Sequence, residues 1–266
     1  VSDSDLLNYL ESANEALLWG DVYAKFEVNR HHISEIKTIP KITNQIAATV
    51  GYLDLQKLCQ QYSVAPRGVI HIGAHEGQEM QEYQVMGADK VLFVEANPSV
   101  FERLKLHIAG IPNVWVANCA ISNQNGTVNL RVNSHDMSSS ILPLKLHKEI
   151  YPGMLEVNQV TVTSKTLDSL MQESPLNSSE FNILVIDIQG AELLALQGAK
   201  ETLKYIDAIS TEVNCEELYE GCALIDQVDD FLKEYGFERV AVATPSHPSW
   251  GDAFYVKKAV IIPDTE

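Results

Sequence analysis

The chain has 266 residues, 45% of them hydrophobic and 21% charged, which excludes a disordered or fibrous protein and is enough to bury a sizeable core. A formal net charge of −17 repels a phosphate backbone, and no basic patch offsets it, which argues against a nucleic-acid partner. Four cysteines, Cys59, Cys119, Cys215 and Cys222, are scattered without a C-x-x-C pair, as suits reduced thiols rather than disulfides or a zinc site.

Val1 to Leu10 is acidic and polar and has no secretory pattern, so a cytoplasmic protein is expected. A first residue Val1 instead of methionine points to a trimmed chain or to a domain excised from a longer polypeptide, such as a multidomain synthase. The apolar runs Asn182 to Ile188 and Ala259 to Ile262 fall far short of the ~20 residues of a membrane helix, so no membrane partner is expected.

Leu6, Leu7, Leu10, Ala13, Leu17 and Leu18 recur at helical spacing behind Ser4, which predicts an opening amphipathic helix. A second helical stretch is expected from Thr43 to Tyr62, with a loop over Asn29 to Lys41 between the two. Residues 1–66 therefore read as a helical extension serving as lid, dimer contact or docking segment, with residues 67–266 as the main domain.

From Gly68 onward, short β-branched apolar runs alternate with amphipathic stretches, the pattern of an α/β fold with a doubly wound, mostly parallel sheet. Strands are expected at Val69 to Ile72, Val91 to Glu95, Val114 to Ala117, Ile183 to Asp187 and Ala208 to Val213. Helices fit at Gly77 to Met86, Ser99 to His107, Ala191 to Lys200 and Leu224 to Tyr235. Thr127 to Val132 and Val157 to Thr163 read as a side hairpin around a polar loop. Glu238 to Ala243 and Phe254 to Lys257, joined by a loop over Thr244 to Ala253, read as a closing antiparallel hairpin.

In Val69-Ile70-His71-Ile72-Gly73-Ala74-His75-Glu76-Gly77 a buried strand runs into a glycine turn and then a helix, the place where open α/β sheets bind ligands. His75 stands where a dinucleotide fold has its middle glycine, which disfavours a pyrophosphate and hence a nicotinamide oxidoreductase. Glu95, followed by Ala96-Asn97-Pro98, ends the second strand, where a carboxylate can accept from both hydroxyls of a ribose. Each motif alone is compatible with a turn or a solvated strand end; jointly they favour a nucleoside. Asn118, Cys119 and Ala120, at the end of the third strand, are candidates to flank an adenine, although Cys119 fits a core position equally well.

These segments, together with Ser138-Ser139-Ser140, Thr166-Leu167-Asp168, Ile186-Asp187-Ile188-Gln189-Gly190-Ala191-Glu192 and Trp250-Gly251-Asp252-Ala253, resemble the FkbM family of methyltransferases over about Gly68 to Lys257. The family usually has an acidic residue where Gln189 stands. The resemblance implies a class I methyltransferase sheet and S-adenosylmethionine as methyl donor, with S-adenosylhomocysteine as product. It also implies O-methylation, at a hydroxyl or a carboxyl, of a small molecule, sugar or secondary metabolite, with a small-molecule, glycan or carrier-bound acceptor as partner, as in natural-product tailoring.

Under that implication Gly73, His75, Glu76, Gly77, Glu95, Ala96, Asn97, Asn118, Cys119, Ala120 and Asp187 form the donor site. Asp187 is the first catalytic candidate, as base or as the group that orients acceptor or methionine amine, with His135 as the alternative base and Glu212 as a catalytic candidate that could orient the acceptor. Ser139, Asn214, His247, Trp250 and Asp252 are candidates for the acceptor wall, the indole offering a flat face. Asp187, Glu212 and Asn214 also suit a hard divalent ion, though a metal is not the favoured reading. A catalytically inactive nucleoside-binding module is the alternative from another class.

Overall fold

The computed structural model describes residues 53–260. The expected helix Leu6 to Leu18 and the loop Asn29 to Lys41 lie outside the described residues, as does the first part of the stretch Thr43 to Tyr62.

Helix α1 (Leu55–Gln61), capped by the Asp54 side chain, leads to β1 (Gly68–Ile72). Helices α2 (Met80–Val85) and α3 (Pro98–His107) alternate with β2 (Lys90–Glu95) and β3 (Val114–Asn118). Next come β4 (Ala120–Ile121), β5 (Gly126–Asn133), α4 (His147–Ile150), β6 (Glu156–Lys165) and α5 (Leu167–Glu173). The last part holds β7 (Ile183–Ile186), α6 (Glu192–Gln197), β8 (Ala208–Asn214), α7 (Ile225–Glu234), β9 (Phe237–His247) and β10 (Trp250–Lys257).

The main sheet has seven strands in the order β3-β2-β1-β7-β8-β10-β9. The first five run parallel, while β10 is antiparallel to both β8 and β9. Parallel strands covered on both faces are buried at every position, as β1 is, and its one polar side chain, His71, shares a hydrogen bond with the Tyr83 hydroxyl (2.9 Å). Val69 packs on one side with Phe93, Ala208 and Phe254; Ile70 and Ile72 pack on the other with Leu184, Ile186 and Leu196. Each such side chain contributes roughly 1.5–3 kcal/mol by leaving water. Leu55 and Cys59 of α1 join the first cluster, so this core reaches back across residue 67.

The side hairpin is present as β5 and β6, and β4 extends it to a three-stranded sheet. Two expectations need correction. The loop placed at Thr244 to Ala253 is mostly strand, because β9 continues to His247 and β10 starts at Trp250. Pro245 is tolerated there because β9 is an edge strand, and Gly251 lets the pair close up: a Cβ on it would stand 1.9 Å from the Ala243 carbonyl oxygen. Helix α2 starts at Met80 and not at Gly77, because His75 (φ 45°) and Gly77 (φ 74°) hold a turn that no helix can include. No helix among the described residues is long and apolar enough to cross a membrane.

Candidate active site

At the end of β1 the chain turns through Gly73 (φ 83°), where a Cβ would stand 1.7 Å from the backbone oxygen of Asp187. Only glycine permits that approach. The Gly73 and Ala74 N–H groups both donate to the Val94 carbonyl (2.9 and 3.1 Å), fixing the turn to β2. An open cleft lies over these strand ends. Of the residues singled out in the sequence, Gly73, His75, Glu95, Ala96, Cys119, Ala120, Ser139 and Asp187 line it.

Glu95 is buried, and its two carboxyl oxygens accept from the backbone N–H groups of His75 (2.9 Å) and Asn97 (2.7 Å). Burial raises its proton affinity, and those N–H bonds oppose the rise. Burial likewise pushes the Cys119 thiol up to about 11, which makes it a neutral packing group. Asn118 and Asn97 brace this corner instead of lining the cleft. The Asn118 amide donates to the Glu95 carbonyl (2.8 Å), and the Asn97 side chain caps α3 by accepting from the Ser99 N–H (3.1 Å). Gly77 packs against the Leu104 side chain, which a Cβ would approach to 2.8 Å.

The opposite wall is the turn Asp136–Ser138, whose anchors sequence reasoning missed. Asp136 pairs with His75 Nε2 (3.0 Å) and with Arg103, and Arg103 Nε also reaches Glu76 (2.6 Å). Glu76 thus serves the wall through Arg103. Burial opposes ionisation of Asp136, but the hydrogen bonds from His75 and Arg103 prevail and hold its carboxyl below the usual range. The wall is tethered on its other side by the Ser140 hydroxyl, which donates to the Gln189 carbonyl (2.7 Å). His135 heads the turn and is not among the lining residues.

Beyond Asp187 lies a set of buried acids. Asp252 pairs in register with Glu212, and Trp250 with Asn214, which puts these four side chains on one face of the sheet. The Gln189 amide donates to Asp187 Oδ1 (2.7 Å) and to Glu212 Oε2 (2.6 Å), and its own oxygen accepts from the Tyr219 hydroxyl (2.6 Å). Burial, then the charges of Asp187 and Glu192, lift the Glu212 carboxyl well above the usual range. Glu192 and Asp252 are each raised to about 7, by burial first and then by Asp187. Glu192 accepts from the Ile188 and Gly190 N–H groups and so shapes the turn after β7. Both amide atoms of the buried Asn214 lack a hydrogen-bond partner. Trp250 Nε1 donates to the Tyr151 hydroxyl (3.2 Å), and His247 Nδ1 accepts from the Ser249 N–H (3.2 Å) at the hairpin turn. Among the described residues, no group of three or more His, Cys, Asp or Glu is placed to hold a metal ion.

The model of the methyltransferase FkbM domain matches residues 71–239. The chain belongs to the FkbM methyltransferase family. It is an S-adenosylmethionine-dependent methyltransferase, which sets aside the nicotinamide and the non-catalytic readings. It is 28% identical over 181 residues to the 2-O-methyltransferase NoeI of Sinorhizobium fredii, covering 65% of this chain and 73% of that one. Among solved structures it is similar to a SAM-dependent methyltransferase from Aquifex aeolicus, at 12% identity and a TM-score of 0.45, covering 79% of this chain and 90% of that one. It is also similar to a ribosomal protein L11 methylase from Lactobacillus delbrueckii subsp. bulgaricus, at 14% identity and a TM-score of 0.43, covering 77% of each chain. The residues present suit this methyl donor: Gly73 lines the cleft and lets β1 and the turn after β7 meet there, and Glu95 lines the same cleft with a fixed carboxyl group.

Proposed function

We propose that this FkbM protein methylates a hydroxyl oxygen of a small-molecule, glycan or carrier-bound acceptor, with Asp187 as general base. The observation that carries the reading is that Glu95 and Asp187 line one cleft, and that the charge of Asp187 acts on the buried Glu212 and on Asp252 behind it. When bound there, S-adenosylmethionine supplies a methyl group activated by its sulfonium charge. Glu95 takes the ribose hydroxyls, as its position at the end of β2 suits. Asp187 accepts the proton of the acceptor hydroxyl and orients its oxygen for in-line attack. A carboxylate acceptor would meet this group of acids unfavourably, which supports a neutral hydroxyl. The name of the relative NoeI, a 2-O-methyltransferase, agrees with an oxygen acceptor. Asn214 and Trp250, on the same sheet face as Glu212, are the groups we assign to the acceptor.

The test is methyl transfer from labelled S-adenosylmethionine to a panel of sugar, polyol and carboxylic-acid acceptors, followed by Asp187→Asn. Turnover should fall by roughly 10²–10⁴-fold, the usual contribution of a positioned base. Undiminished turnover in Asp187→Asn would remove it from that role, and labelling of carboxylic acids alone would replace the hydroxyl acceptor.

A further inference from the structure

Gln189 sits between two acids, and its surroundings show what the amide does here. Its backbone adopts φ 58°, a conformation uncommon for a side-chain-bearing residue. The Tyr219 hydroxyl donates to Gln189 Oε1, and the amide nitrogen faces the two acids. An amide nitrogen only donates, so Asp187 Oδ1 and Glu212 Oε2 both present lone pairs to it. An ionised glutamate at this position would offer no donor and would add a negative charge beside two carboxyl groups.

We propose that Gln189 is a positioning residue: oriented by Tyr219, its amide spans Asp187 and Glu212 so that the two work as one carboxyl pair carrying a single proton. The inference rests on the reading of Asp187 as base. The pair starts with one negative charge, takes the proton of the acceptor hydroxyl to become fully protonated, and returns that proton to water after the methylated product leaves. The titratable groups around it are His71 on β1, Glu192 on α6, Tyr219 in the loop after β8, and Asp252 on β10. The acids among them disfavour a second charge in the pair, while the two amide N–H bonds favour keeping the first.

The test needs no acceptor. Infrared difference spectra of the protonated-carboxyl stretch are recorded with S-adenosylhomocysteine present, from about pH 5 to about pH 9. Comparison with Glu212→Gln isolates the signal of the pair. Gln189→Glu adds charge and Gln189→Leu removes both donors, so each should raise the midpoint at which the signal is lost by roughly one to three pH units. Gln189→Leu carries the test if Gln189→Glu fails to fold. Midpoints unmoved in folded variants, as judged by near-UV circular dichroism, would overturn the proposal, since a merely structural amide would change melting and not titration. A moved midpoint in a protein that methylates nothing would leave the pair standing and remove the reading of the reaction. An unmoved midpoint in an active enzyme would do the reverse.

Discussion

The backbone oxygen of Asp187 lies where a side chain on Gly73 would begin, 1.7 Å from the position of its Cβ. The donor cradle on β1 and the first residue after β7 are therefore one construction, and neither can shift without the other. Gly73→Ala should lose donor binding and also lower stability, by at least the roughly 1–3 kcal/mol of a side chain forced into left-handed backbone. Denaturant unfolding and calorimetric titration would both report it. Unaltered donor affinity would show that the contact does not shape the site.

Arg103 bridges Glu76 and Asp136 at the edge of the cleft, and all three side chains are partly open to solvent. Exposed pairs contribute roughly 0.2–1 kcal/mol and weaken in salt. Arg103→Met should weaken S-adenosylhomocysteine binding by no more than about fivefold. It should also flatten the dependence of that affinity on ionic strength. A salt dependence equal to that of the wild type would separate this ion-pair chain from the cleft.

Asp252 gives the clearest pH signature. Its carboxyl is raised to about 7, from an ordinary value of 3.8. Between those values the folded chain holds a proton that the unfolded chain releases. The stabilising contribution is thus complete below about pH 4 and lost as pH rises through about 7. It amounts to on the order of 1 kcal/mol for each pH unit in that window. Melting temperature should fall more steeply across it in the wild type than in Asp252→Asn; parallel curves would contradict this.

The main sheet was legible because each parallel strand is a short apolar run, and buried runs such as Val69 to Ile72 or Ile183 to Ile186 have no alternative use. Helix starts were less legible: Gly77 to Glu79 has helical composition, but the φ values of His75 and Gly77 impose a turn that composition does not encode. At the site, Gly73, Glu95 and Asp187 could be found because strand ends in this architecture converge on a ligand. Arg103, Asp136 and Tyr219 could not, because their partners are distant in the chain: Arg103 meets Asp136 and Tyr219 meets Gln189 only after the loops have closed. Gln189 was visible as a departure from the family pattern, yet its two bonds to acids are a property of the folded turn after β7.

The most direct test of the donor site is calorimetric titration of S-adenosylmethionine and S-adenosylhomocysteine into the wild type and into Glu95→Ala. The site described here predicts micromolar binding to the wild type, weakened about tenfold to a hundredfold in the variant by loss of a charged hydrogen-bond acceptor, roughly 1.5–3 kcal/mol. Equal affinity of the two proteins, or no binding of either ligand to the wild type, would contradict the assignment of this cleft as the donor site.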